Sequence, residues 1–273
     1  MPLIAMTREM GSLGKDVAQG VAEALDLEVT HHEVIDNLAD KMRMRKSHVI
    51  RLLEGKASIL EKLTSDRTSL AIYTHDETFN LAQRNGGAVI RGWGATHLLW
   101  PVGHAVCVRV CAPVQVRVGR MKERLKTDDE DFVRKEITLS DEAQSAVMKR
   151  HFGVEWQDAQ HYDLTFNTAR VPVGECVQEV LRLVKGPAFA ETAQSRATLD
   201  NLSLAAHVKA AMRADKRTRS AGVTVQADAG RVTLSGIVDG DFEIDTLSVV
   251  ASGVDGVKDV DNKVKQATPF RRT

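Results

Sequence analysis

Between residues 3 and 187 short apolar runs alternate with longer stretches of helical periodicity, and this alternation constrains the fold more than any other feature of the chain. The runs are LIAM from Leu3, AVIRG from Ala88, AVCVRV from Ala105 and YDLTFNT from Tyr162, with helical patterns such as residues 14 to 25 between them. Strands separated by helices need crossover connections, so an α/β unit with a mostly parallel sheet is expected. The character changes near residue 190. VKGP leads into the polar, small-residue stretch AETAQSRAT, which reads as a linker over 188–197. Beyond it come a helix (LAAHVKAAMRAD), two alternating strands (GVTVQADAGRVTLSGIV) meeting at Ala229-Gly230, a second helical stretch and a last strand near KDVDNKVKQ. Two domains are expected, over 1–187 and 198–268, with a short tail at 269–273.

Composition narrows the function classes. The chain has 273 residues, 43% of them hydrophobic, enough for packed cores. Lys plus Arg equals Asp plus Glu at 37 each, so no overall charge draws the protein toward nucleic acid or anionic lipid, and any such binding must be local. Cys107, Cys111 and Cys176 cannot all pair, and two of them sit in one strand-like run. They read as reduced core residues, which suits the cytoplasm. The N-terminus shows no basic region followed by a long apolar core, and no run reaches the roughly 18 uncharged apolar residues of a membrane span.

Residues 7 to 19, TREMGSLGKDVAQ, come close to a phosphate-binding loop. Gly14-Lys15 matches the end of the Gly-x4-Gly-Lys-Ser/Thr pattern, while Glu9 stands at the first glycine and Asp16 at the hydroxyl. A strand running through a glycine turn into a helix gathers backbone N–H groups and the positive helix end at one point, where Gly11, Ser12, Gly14 and Lys15 can hold phosphates. The competing reading is a strand-to-helix turn that needs glycine for steric reasons alone.

Four segments extend the match. TREMGSLGKDVAQGVAEAL, GGAVIRGWGATHLL, APVQVRVGRMKER and FGVEWQDAQHYDLTFNT resemble the cytidylate kinase-like family of P-loop nucleoside monophosphate kinases over about residues 1 to 185. The resemblance implies a five-stranded parallel core flanked by helices, ATP at the loop and a nucleoside monophosphate opposite, CMP being the first candidate. It makes Lys15 and Arg120 the catalytic cations, and it puts Arg117 beside Arg120 at the ATP site; the bland alternative for both arginines is a solvated basic face running on through Lys122 and Arg124. Mg²⁺ would be taken by Asp16 or Ser12. Two departures fall on the acceptor side. The family's Gly-Arg-Gly element reads RGWG, so Trp93 replaces the arginine and Arg91, on the same strand face, is the substitute. Gln144 stands near an expected lid arginine, with Lys149 and Arg150 one or two helical turns on.

GVTVQADAGRVTLSGIV and GVDGVKDVDNKV resemble the BON domain, an αββαβ unit linked with envelope surfaces, phospholipid or small-ligand binding. A bacterial, cytoplasmic protein follows, with two readings of its function. One is ATP-dependent phosphorylation of a nucleoside monophosphate, the BON unit serving for docking or ligand binding. The other is a nucleotide-responsive regulator without useful turnover, acting through that unit on a small ligand, lipid or protein partner. His31-His32-Glu33 lacks a third ligand at a diagnostic spacing. KMRMRKSHVIR reads as a solvated basic helix rather than a nucleic-acid surface, and Trp156 and Tyr162 read as packing anchors.

Overall fold

The computed structural model describes residues 1–30, 32–53, 66–92, 94–239 and 243–267. Trp93, His31 and the tail at 269–273 lie outside them.

Leu3–Arg8 (β1), Val29–Thr30 (β2), Ala88–Arg91 (β3), Ala105–Cys111 (β4) and Leu164–Asn167 (β5) form one sheet in the order β2-β3-β1-β4-β5, every neighbouring pair parallel. The two-residue strand β2 is too short to show in the sequence pattern. β1 lies at the centre. Its residues Leu3, Ile4 and Ala5 have no exposed surface, which is why it reads as an unbroken apolar run instead of an alternating one.

Helices cover both faces. Gly14–Leu25 (α1) and Val173–Val184 (α8) close a core of Ile4, Met6, Val17, Val21, Val106, Val108 and Val180 on one side. On the other, His32–Met42 (α2), Lys46–Leu53 (α3) and Arg67–Ala82 (α4) pack over Leu3, Ala5, Ile90 and Cys107. The short helix Ala95–Leu98 (α5) follows β3. Val114–Leu125 (α6) and Glu130–Phe152 (α7) pack together over Val118, Met121, Val133 and Ile137 beside the phosphate-loop region.

Residues 193–197, expected in the linker, are instead the first turns of a long helix, Ala193–Ala214 (α9). Thr192 accepts from the Ser195 amide and Ser195 reciprocates, a capping box that starts the helix where polarity alone suggested a loop. α9 carries two apolar stripes. Leu199, Leu202, Ala206 and Ala210 join the first core beneath α4, and Leu204, Val208 and Met212 join a second core. That second core lies under Thr224–Asp228 (β6), Arg231–Val238 (β7), Ile244–Ser252 (α10) and Asp259–Gln266 (β8), a sheet ordered β6-β7-β8 with the first pair antiparallel and the second parallel. Ala229 and Gly230, both at positive φ, make the two-residue hairpin turn.

Candidate active site

The turn between β1 and α1 is built by two residues in the left-handed region, Gly11 at φ +79° and Leu13 at φ +59°. Glycine is sterically required on both sides of it. A Cβ on Gly11 would stand 2.9 Å from the Arg117 carbonyl, and one on Gly14 would stand 2.6 Å from Arg8 Cβ. Steric need and phosphate binding are therefore not alternatives here. The amides of Gly11, Leu13, Gly14 and Lys15 find no acceptor among the described residues, and the turn opens directly into the positive end of α1. Lys15, the second residue of that helix, is exposed and forms no ion pair among the described residues. Asp16, also exposed, lies in the same first turn. Ser12 differs: its side chain is fully buried, and its hydroxyl donates to the carbonyls of Glu9 at 2.8 Å and Val110 at 3.0 Å. Of the two metal candidates, only Asp16 faces solvent.

Glu9, a mismatch in the general loop pattern, is what fixes this loop. Its buried carboxylate accepts from Arg109 Nη2 at 2.6 Å and from the Ala112 amide at 3.2 Å, with Arg117 Nε at 3.4 Å. Arg117 also donates to Asp141 at 2.8 Å. Burial, only partly offset by Arg117, holds the Asp141 carboxyl above its ordinary range. Arg120 donates to the Thr168 hydroxyl at 3.0 Å and to the Thr168 carbonyl at 2.9 Å, and the Thr168 hydroxyl donates to the Ser12 carbonyl at 2.7 Å. The structure thus brings Arg117 and Arg120 to the loop from one face of α6, gripping its backbone from behind. Arg117 is buried, so the solvated-face reading does not hold for it. Sequence reasoning missed Arg109, Asp141 and Thr168 altogether. The available signal was Arg109 itself, a lone charge inside the apolar run AVCVRV, which a buried strand accepts only with a partner.

Across the sheet, Arg91 ends β3 in register with Met6 of β1. Its side chain is buried, and its Nε has no hydrogen-bond partner among the described residues. Burial first, then repulsion from Arg8 and Arg124, pulls its pKa down to about 10, which leaves it charged at neutral pH. Lys149 and Arg150 sit exposed in the last turn of α7, Lys149 paired with Glu155 at 2.7 Å. They are not drawn into a buried site. The next side chain that reaches inward is Phe152. Its ring stacks on His75 of α4 at 5.7 Å and lies 4.6 Å from His97 of α5, and a Cβ on Gly94 would come within 2.5 Å of it. The glycine therefore lets the end of α7 close over the turn after β3. Trp156 and Tyr162 anchor the segment that follows: the Trp156 indole donates to Thr7 at 2.9 Å beneath Arg109, and the Tyr162 hydroxyl donates to the Trp156 carbonyl at 2.7 Å.

No curated protein is similar enough to the chain to count as a match. Among solved structures, an uncharacterized protein from Eubacterium ventriosum is 18% identical with a TM-score of 0.53, the match covering 68% of this chain and 99% of that one, a likeness of fold. Two shikimate kinases are more distant, one from Acinetobacter baumannii (16% identity, TM-score 0.41, 67% and 93% covered) and one from Bacteroides thetaiotaomicron (12%, 0.43, 67% and 98%). Residues 200–268 match the BON domain, and residues 3–170 match the cytidylate kinase-like family. With a parallel five-stranded sheet and a glycine turn presenting Lys15 at a helix start, the chain belongs to the cytidylate kinase-like family and carries a BON domain behind its kinase-like domain.

Proposed function

We propose that the kinase-like domain transfers a phosphoryl group from ATP to a nucleoside monophosphate, with CMP the first candidate acceptor. The observation that carries this reading is Arg91. A buried guanidinium with an unsatisfied donor is destabilising by about 1–3 kcal/mol, and an acceptor phosphate at the end of β3 would relieve that. The open C-terminal edge of a parallel sheet, beside its central strand, is where such ligands bind.

In this reading the unpaired loop amides and Lys15 take the outer phosphates of ATP, and Arg91 holds the acceptor phosphate. Glu9, Arg109, Arg117, Arg120 and Thr168 keep the loop in shape, so little reorganisation remains for the transfer step. Asp16 would hold Mg²⁺ directly or through water, and the metal would neutralise charge on the triphosphate. Ser12, with its hydroxyl already bonded inside the fold, is the poorer of the two metal candidates.

ATP consumption with a panel of nucleoside monophosphates and Mg²⁺ tests the proposal. The expected result is CMP-dependent turnover that Arg91→Ala abolishes while circular dichroism stays unchanged. Lys15→Ala should weaken ATP binding by on the order of 1.5–3 kcal/mol, the worth of a charge-assisted contact. Turnover that survives Arg91→Ala would overturn the acceptor assignment.

A second reading, a nucleotide-responsive regulator acting through the BON domain, is favoured by a different observation. Arg117 and Arg120, the cations expected at the ATP site, are committed to partners inside the fold, Arg117 to Asp141 and the Met10 carbonyl and Arg120 to Thr168 and the Gly11 carbonyl. ATP binding without turnover on any acceptor would select it. In either case the BON domain would serve a small ligand, lipid or protein partner.

A further inference from the structure

The basic stretch KMRMRKSHVIR is not one helix. α2 ends at Met42, and a turn runs through Arg43, at φ +53°, before α3 begins at Lys46. The turn is closed by the Met44 amide donating to Ala39 O at 2.8 Å and the Arg43 amide donating to Asp40 O at 3.1 Å. Opposite it lies the end of α9 with its own closed turn, in which the Arg219 amide donates to Asp215 O at 3.0 Å and the Thr218 hydroxyl donates to Met212 O at 2.7 Å. Between the two turns is a cleft of about 810 Å³, walled by α2, α3 and α4 of the kinase-like domain on one side and by the C-terminal end of α9 on the other.

The charge in this cleft is lopsided. Its only described carboxylate, Asp66, is already paired with Arg213 at 2.7 Å and accepts from the Ser69 amide at 2.9 Å. Lys41 is held by Asp76 at 2.7 Å and by Glu77. Arg43, Arg45, Lys216 and Arg219 also line the cleft, are exposed, and make no ion pair among the described residues. Four cations without an ion pair among the described residues thus face one concavity in a chain whose formal net charge is zero. Low-dielectric walls focus such a field on whatever enters. Three of the four are arginines, whose planar forks match phosphate oxygens two at a time. The volume is that of a small-molecule site and the surface is concave, which favours a compact ligand over a bilayer or a duplex.

The geometry points to a second anion site, at the junction of the two domains, that binds a small molecule carrying two or more phosphate groups. It is separate from the Lys15 loop and from Arg91, since neither lines the cleft. Because two of its unpaired cations come from the turn after α9, a bound ligand ties the BON domain to helices on the acceptor side of the kinase-like domain.

Inorganic tripolyphosphate is the probe, titrated calorimetrically into the full chain carrying Lys15→Ala so that the phosphate loop does not contribute. The expected result is one tripolyphosphate bound per chain, with affinity falling at least tenfold in Arg45→Glu/Lys216→Glu. The same net charge change made elsewhere on the surface, Lys185→Glu/Lys265→Glu, should leave most of the affinity in place. Thermal unfolding should rise with tripolyphosphate in the control variant and not in the cleft variant. No binding in the Lys15→Ala chain, or equal losses in the two charge-reversed variants, would overturn the assignment. So would capture of the chain by phosphatidylglycerol vesicles at concentrations where tripolyphosphate does not bind.

Discussion

At the scale of single residues, the loop shows how a side chain can be tolerated where the backbone resists it. Leu13 adopts φ +59°, a conformation that favours glycine. A left-handed non-glycine residue costs about 1–2 kcal/mol, so the neighbours must over-determine it. Ser12, buried and bonded to two carbonyls, and Thr168, bonded to the Ser12 carbonyl, supply that constraint. A β-branched side chain is still less suited to this region. Leu13→Val is therefore expected to destabilise the protein by about 1–2 kcal/mol beyond its lost methylene, whereas Leu13→Gly should stay within about 1 kcal/mol of the parent. Urea denaturation of the three proteins checks the order, and Val equal to Gly would show that the strain is not there.

At the scale of elements, α9 does two jobs because its apolar residues fall in two stripes. Leu199 is fully buried in the core beneath α4, although it precedes the segment that matches the BON domain. Leu199→Ala should cost about 2–5 kcal/mol through lost burial and the cavity left behind, and it should appear in the unfolding of the kinase-like domain as well. A loss confined to the BON domain would contradict the shared core. The contact among α4, α5 and α7 brings a pH dependence. His75 stacks on Phe152, with the His151 ring 6.5 Å away, and burial, then repulsion from His151 and Lys209, lowers its pKa from 6.5 to about 4. His97 and His151 are lowered as well, burial again the leading cause. A histidine kept neutral in the fold takes up its proton more readily when unfolded, so stability falls as pH drops from about 6.5 to about 4. With allowance for partial exposure the His75 share is about 1–2 kcal/mol. His75→Phe, which keeps the ring on Phe152, should flatten the profile of denaturation midpoint against pH in that window; an unchanged slope would remove His75 from the account.

At the scale of the whole molecule, the two domains share a helix instead of being joined by a tether. Arg213 donates to Ser69 at 2.7 Å and pairs with Asp66, Gln83 Nε2 donates to Asp200 at 3.1 Å, Ser203 donates to Gln83 at 2.9 Å, and His207 bonds Asp76. Every one of these contacts joins α9 to α4 or its ends, so the BON domain rides on the helix that leads into β3 and Arg91. A chain ending at Glu191 would lose α9 and open the core beneath α4 that Leu199, Leu202, Ala206 and Ala210 help to close. It is expected to melt roughly 10 °C or more below the full chain, or to self-associate, from the apolar area returned to water. Equal melting temperatures and a monomeric elution volume would show that the kinase-like domain stands alone.

Much of this molecule was legible in the sequence for a simple physical reason. A central parallel strand must be apolar on both faces, a strand-to-helix turn must spend glycine, and a two-residue hairpin needs positive φ. LIAM, Gly11, Gly14 and Ala229-Gly230 therefore declare themselves locally. The positions of Lys15 at the start of α1 and of Arg91 at the end of β3 were legible too, because they follow from the loop and from strand register. What the sequence could not show depends on partners far along the chain. Glu9 looked like a defect until Arg109 and Arg117 met it from a hundred residues away, and Arg117 and Arg120 looked like free cations until Asp141 and Thr168 took them up. AETAQSRAT has the polarity of a linker, and only its capping box and the core beneath α4 make it a helix. Local spacing can place an apolar stripe on a helix. Only tertiary packing decided that one stripe of α9 belongs to the kinase-like domain and the other to the BON domain, because burial is a property of what the stripe meets.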